Sequence, residues 1–274
     1  MKKRIAAVVA CVAALALSAA ALGGCSSGSP ESTDGTQKLV VGFDQGYPPY
    51  GYVDDSGQFA GFDLDLAQAV ADKNGWEIEL VPIDWDAKDA LLGSGAINCI
   101  WNGFTMEGRE SGYTFSDPYM LNEQVVVVKA DSGIDSLEDL AGKVVMTQVD
   151  SAALDVLQND NAEEGGQAEL AATFKDLQTI GDYNNAFMQL ESGAVDAVAC
   201  DLSIAAYQMA AKPDVYKQLG TLSSEHYAVG FAKGNDALAK QVTDALKQLD
   251  EEGAVQQLCD KYADQGITYD NWVL

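Results

Sequence analysis

Histidine is nearly missing from this chain: among 274 residues only His226 is present. A Ser-His-Asp triad or a zinc centre would have to rest on that one ring, so neither is expected, and no metal or cofactor is implied. Cysteine is scarce too. Of five, Cys11 lies in an N-terminal apolar stretch and Cys25 closes it, which leaves Cys99, Cys200 and Cys259 with no Cys-x-x-Cys spacing among them. Three thiols allow one disulfide at most, so this is no disulfide scaffold. Basic residues are the third shortage, 16 Lys and Arg against 42 Asp and Glu. Three of the 16 are Lys2, Lys3 and Arg4; without them 13 basic residues oppose 42 acidic ones, a net charge of −29, and no two basic residues adjoin. Such a surface repels nucleic acid and anionic lipid. Nucleic-acid binding is excluded.

What is present begins with a leader. Lys2-Lys3-Arg4 is a basic start, Ile5 to Ala21 is apolar except for Ser18, and Leu22-Gly23-Gly24-Cys25 ends the run in small residues. This is signal-peptide grammar, in a run shorter than the ~20 apolar residues a membrane-spanning helix needs. The Leu-Gly-Gly-Cys ending resembles a bacterial lipobox, in which the cysteine is acylated and becomes the first residue of the mature protein. We expect residues 1–24 to be removed, Cys25 to carry lipid, and 25–37 ("CSSGSPESTDGTQ") to form a polar tether. The folded body would start at Lys38 and hang on the outer face of a membrane or in a periplasm.

That body writes one phrase twice. "SGAINCIWNG" starts at Ser94 and "SGAVDAVACD" at Ser192, 98 residues later, each after a leucine-bearing helical pattern. Gly95 and Gly193 suit the left-handed end of a helix; Ile97–Trp101 and Val195–Ala199 read as the strands that follow. A lysine-led strand precedes each phrase, "KLVVG" at Lys38 and "KVVMT" at Lys143, and Asp150 or Ser151 can cap a helix carrying Leu154 and Leu157. Two βα units with a further strand each predict two α/β lobes. Ser116–Lys129 is a long extended crossover and Ser223–Gly234 a returning strand. Leu238, Val242, Leu246 and Leu249 then mark a helix, broken at Gly253, that packs back on the first lobe. We assign 38–120 and 226–274 to lobe 1 and 121–225 to lobe 2, joined by a two-segment hinge that can close about a ligand.

Ligands of open α/β sheets sit beyond the carboxyl ends of the strands. Four strand ends therefore face one cleft, with Phe43-Asp44, Asn102-Gly103-Phe104-Thr105, Gln148-Val149-Asp150-Ser151 and Cys200-Asp201 as the candidates.

The order of "VGFDQGYPPYGYVDDSGQFAGFDLDLAQAVA", "WNGFTMEGRE…YTFSDPYM", "LAGKVVMTQVDSAALDVL", "AFMQLESGAVDAVACD" and "YAVGFAKGND" resembles the family 3 solute-binding proteins of bacterial ABC transporters, across residues 38–274. The resemblance implies a two-lobed, type II periplasmic-binding-protein fold, no enzyme activity, no cofactor and a monomer that hands a free, polar amino acid to an ABC permease. Carried over residue by residue, Asp44, Tyr47 and Trp85 would line the side-chain pocket, while Gly103, Thr105 and Arg109 would meet the ligand carboxylate. Ser151 would add a donor from the second lobe, and Asp201 would hold the α-ammonium. Asn102, Phe104 and Gln148 join them as strand-end neighbours. The Gly103–Arg109 loop is one residue shorter than the usual Gly-x-Thr-x-Thr-x-x-Arg, and Asp150 stands where glycine is frequent. The chemistry agrees: guanidinium matches a planar carboxylate, a desolvated ammonium needs a carboxylate, and aromatic faces take a stem or a cation. Structural alternatives stand beside these roles: Arg109 pairing with Glu107 or Glu110, Asp201 capping the helix from Leu202, Asp44 capping the turn before Pro48. Two other functions share the fold: a cyclohexadienyl dehydratase, with Asp44, Glu107 or Asp201 as general acid, and a sensory receptor. A disulfide between Cys99 and Cys259 is expected from the return of the last helix to lobe 1.

The anchor is tested by fractionation. Wild-type protein should take up labelled palmitate and sediment with membranes, and Cys25→Ser should do neither.

Overall fold

A computed structural model describes residues 37–162 and 165–274; the leader, Cys25 and most of the tether lie outside them. The chain opens with β1 (Lys38–Phe43), the short hairpin strands β2 (Gly46–Tyr47), β3 (Gly51–Val53) and β4 (Phe59–Ala60), α1 (Phe62–Asn74) and β5 (Glu77–Pro82). Then come α2 (Lys88–Ser94), β6 (Cys99–Ile100), β7 (Tyr113–Phe115) and the long β8 (Met120–Lys129). The second half carries β9 (Val144–Gln148), α3 (Ala152–Gln158), α4 (Ala168–Ala171), β10 (Asp176–Ile180), α5 (Tyr183–Ser192), β11 (Ala197–Asp201), α6 (Leu202–Ala211) and the long β12 (Tyr216–Tyr227). It ends in β13 (Gly230–Ala232), α7 (Asp236–Glu251) and α8 (Ala254–Lys261).

Two five-stranded sheets result, in the orders β5-β1-β6-β13-β7 and β10-β9-β11-β8-β12. In each, three parallel strands come first, with the earliest in the middle, and two antiparallel strands complete the edge. The two lobes thus share one plan, as the repeated phrase predicts. Its residues also do the same work twice. Gly95 and Gly193 close α2 and α5 at φ 77° and 76°, a left-handed cap that glycine adopts without strain from a Cβ. Three residues on, the Asn98 carboxamide accepts from Val40 N at 2.8 Å, and the Asp196 carboxylate accepts from Val144 N at 2.8 Å. Each side chain ties the start of the third parallel strand to the first. That is why the phrase carries Asn or Asp at this position.

The sequence places the elements well and their ends less well. β6 is confined to Cys99–Ile100, and β11 runs on to Asp201. The returning stretch splits into β12 and β13 because its two parts join different sheets. β8 and β12 pair antiparallel from Met120↔Tyr227 to Lys129↔Tyr216, so the two crossing segments lie side by side. Leu238, Val242, Leu246 and Leu249 form the buried stripe of α7, and Gly253 breaks it from α8 at φ 76°. Both helices pack on α1, and Tyr262, which ends α8, donates to Asp65 at 2.8 Å and accepts from Gly61 N at 3.1 Å. The expected Cys99–Cys259 bridge is not formed. Both thiols, like that of Cys200, are free and buried; the Cys99 Sγ lies within the sheet, 3.8 Å from Val40 O. No described helix is long and apolar enough to cross a membrane.

Gly61 tests this packing. At φ 140° its added Cβ would lie 2.1 Å from Tyr50 O, whereas Gly95 at φ 77° has open space. Gly95→Ala should cost about 1 kcal/mol, and Gly61→Ala more than about 3 kcal/mol, read as shifts of the urea midpoint.

Candidate functional site

The carboxyl ends of β1, β6, β9 and β11 meet between the sheets. There Tyr47, Trp85, Asn102, Gly103, Thr105, Arg109, Gln148, Ser151 and Asp201 wall a small cavity together with Ala152. Nine of the eleven candidate residues are thereby brought together. Asp44 and Phe104 are placed differently. Asp44 accepts from Gly46 N and from Gln148 Nε2, both at 2.7 Å, and so joins the lobes at the edge of the cleft; burial raises its carboxyl above the usual range. Phe104 is fully buried behind the wall, edge-on to Trp85 at 5.5 Å and under the Arg109 guanidinium at 5.1 Å.

The first-lobe side of the cavity is the turn after β6. Gly103 adopts φ 58°, and a Cβ there would approach the rings of Tyr227 and Tyr47 at 3.0 and 3.1 Å. Its N–H donates at 2.6 Å to Asp63, which lies fully buried in the first turn of α1 and also accepts from Tyr119 Oη at 2.8 and 2.9 Å. Burial pushes the Asp63 carboxyl up to about 7, against these bonds. Asn102 is 2% exposed, and neither atom of its amide finds a partner among the described residues. A buried amide of this kind costs free energy until something polar meets it.

The second-lobe side is the turn from β9 into α3. Ser151 caps α3, its Oγ accepting from Leu154 N at 3.2 Å and donating to Gln148 O at 2.8 Å. Asp150 before it is left-handed at φ 55°, a geometry Asp tolerates better than most residues. Three bonds from the first lobe converge on Asp150. Its carbonyl receives Trp85 Nε1 and Arg109 Nη2, each at 3.1 Å, and its carboxylate receives Lys88 Nζ at 3.1 Å. Arg109 Nη2 gives its other hydrogen to Asp155 Oδ2 at 2.7 Å, and the side chain is left 12% exposed. Arg109 therefore reaches across the cleft, and its pairing with Glu107 or Glu110 is not formed; Glu107 instead holds His226 Nδ1 at 2.7 Å.

Asp201 sits where the chain turns from β11 into α6, but its side chain makes no cap bond. It points instead to the two crossing strands. Asn122 Nδ2, Gln124 Nε2 and Tyr227 Oη donate to its Oδ1 at 2.9, 2.6 and 2.9 Å. The same two amides donate to Glu225 Oε1 at 2.8 and 2.7 Å, joined by Thr105 Oγ1 at 2.7 Å. Both acids are 4% exposed. Burial raises Asp201, with its hydrogen bonds opposing, and burial with the charge of Asp201 pushes Glu225 up to about 7. Asp63, Asn122, Gln124, Glu225 and Tyr227 are the residues that sequence reasoning missed. The alternation of Asn122 with Gln124 and of Glu225 with Tyr227 was the available signal, since period two puts each pair on one strand face. Among the described residues no group of His, Cys, Asp and Glu is arranged to hold a metal.

The chain that builds this cavity is similar to known proteins over most of its length. The model of the bacterial extracellular solute-binding proteins, family 3, covers residues 39–265. A probable histidine-binding protein of Neisseria gonorrhoeae is 31% identical over 271 residues, 96% of each chain. The L-cystine-binding protein TcyJ of Escherichia coli K12 is 31% identical over 235 residues, 84% of each. Among solved structures, an ABC uptake transporter substrate-binding protein from Streptococcus pneumoniae with bound histidine superposes with a TM-score of 0.78 at 31% identity, covering 85% of this chain and 94% of that one. The two-lobed fold is that of the type II periplasmic binding proteins. With its fold and 227 matched residues in agreement, this chain belongs to the bacterial extracellular solute-binding proteins, family 3.

Proposed function

We propose that the protein captures a free amino acid by closing its lobes and delivers it to an ABC permease, as a monomer lipid-anchored through Cys25, with lobes 38–120 plus 226–274 and 121–225. One observation carries the reading: Arg109 from the first lobe and Asp201 from the second line the same small cavity. A zwitterion offers a carboxylate to the first and an ammonium to the second. Thr105, Ser151 and the unpaired Asn102 amide supply further polar contacts, while Tyr47 and Trp85 offer faces to the side chain. That relatives are named for histidine and cystine supports an amino acid as the ligand class.

Arg109 has a further constraint. Any two-pronged grip on a carboxylate uses an Nη2 hydrogen, and both are engaged by Asp150 O and Asp155. The Asp155 carboxylate is 60% exposed, so it is the weaker holder. The ligand carboxylate takes its place, leaving the bond to Asp150 O to keep the lobes together. A second reading rests on the raised Glu225 carboxyl, which has the character of a general acid in a dehydratase; loss of water and carbon dioxide from prephenate or arogenate is the assay that would favour it.

A thermal-shift screen of the twenty amino acids with cystine and ornithine should find the ligand, since one at 100 times its Kd adds about 2.7 kcal/mol. Removing one partner of a buried charge pair costs ~2–5 kcal/mol, roughly 30-fold or more in Kd. Calorimetry should show that loss for Arg109→Ala and for Asp201→Ala, none for Lys240→Ala on the surface, and unchanged or tighter binding for Asp155→Ala. Native affinity in both of the first two variants would place the ligand elsewhere.

A further inference from the structure

The acid pair at the crossing strands is not explained by one ammonium. All four hydrogens of the Asn122 and Gln124 amides are shared between Asp201 Oδ1 and Glu225 Oε1. Bridged through Gln124 Nε2, these oxygens can be no farther apart than bonds of 2.6 and 2.7 Å laid end to end. Tyr227 and Thr105 add hydroxyl donors. No cation bonds either acid among the described residues.

The groups around the pair do not neutralise it. Tyr227, Tyr47, Tyr50 and Tyr183 face Asp201, and Cys200 precedes it; burial pushes all four phenols and the thiol up, so they stay neutral. Arg109, on the same cavity wall, is held by Asp155. Glu107, Glu110 and Asp155 line the adjoining cleft with Glu225 and add only negative charge. His226, next to Glu225, is turned to Glu107. Two carboxylates this close and this buried resist ionising together without a compensating charge.

We infer that Asp201 and Glu225 hold one proton between them in the empty site and release it to solvent when the ligand's ammonium enters, so that Glu225 makes capture proton-linked. The inference rests on the reading of Asp201 as the ammonium site. Protons then compete with ligand: affinity is full above the pair's titration near 7 and falls about tenfold per pH unit below it. Without ligand the sign reverses. A carboxyl raised from 4.5 to about 7 stabilises the fold fully below its unfolded value, and that stability is lost as pH rises through 7.

Carbon-13 NMR of the ligand-free protein, labelled at Asp and Glu carboxyls, tests the proton directly. Wild type should show a midpoint near 7 that Glu225→Gln removes; Asp63 supplies a second such midpoint, which this variant leaves. Calorimetry with L-arginine and L-glutamine tests the exchange. Between pH 7.5 and 5.5 Kd should weaken roughly 20- to 30-fold in wild type and less than about threefold in Glu225→Gln, with about one proton released at the lower pH in wild type by comparison of acetate and MES buffers. Neutral-range spectra that are the same in the variant, or a pH profile it leaves unchanged, would overturn the inference. If neither amino acid binds while the Glu225 midpoint is present, the proton stands and the choice of ligand fails.

Discussion

Closing two lobes over a small cavity takes charged groups out of water, and each must find a partner that the closure itself provides. Asp150 shows how this constraint is met. A left-handed residue at the start of a helix presents its carbonyl and its carboxylate to the other lobe, where Trp85, Lys88 and Arg109 bond them. Lys88 is left 5% exposed and Arg109 12%, so neither cation stays paired if the lobes separate without water replacing these bonds. Such cross-cleft bonds contribute little net stability each. Their work is geometric: they fix where the arginine stands relative to Asp201 across the cavity.

The scaffold that brings these groups together is one plan used twice. Glycine caps at φ 77° and 76° end equivalent helices, and Asn98 and Asp196 tie the following strands to their neighbours with equal bonds. Because both third strands are fixed at their starts, both also end at defined heights. One delivers Asn102 and Gly103 to the cavity and the other delivers Asp201. A repeated phrase that serves only local structure thereby sets the separation of cavity-lining residues on different lobes.

This division explains how much the sequence could reveal. Caps, strand starts and the α7 stripe follow from residue type and period, and strand ends in an α/β sheet mark the cleft without further information. Side-chain direction does not follow so simply. Asp44 stands at a strand end like the others, yet its carboxylate is drawn to Gly46 N and Gln148 Nε2. Asp63 reads as an ordinary acid in the first turn of a helix, where a negative charge is favourable anyway, and only the packing of α1 under the Gly103 turn reveals its partner. The Cys99–Cys259 expectation failed for a related reason. Bringing a helix back to the right lobe does not set the distance or direction of two sulfurs.

Glu225 is the residue least visible in the sequence, because its role depends on the register of strands a hundred residues apart. Asn122 pairs with Glu225 across the β8–β12 ladder, and Gln124 with Ser223. That register places two amides between Glu225 and Asp201 of the neighbouring β11, which pairs with β8 at Gln124 itself. The polar cluster therefore spans the two strands that carry the chain between lobes. A change of charge in it acts on the segments about which the lobes would move, through amides whose hydrogens are all engaged. On the proposed reading, an ammonium at Asp201 meets this cluster beside the crossing strands, which makes the charge of the bound molecule part of those strands' own hydrogen bonding.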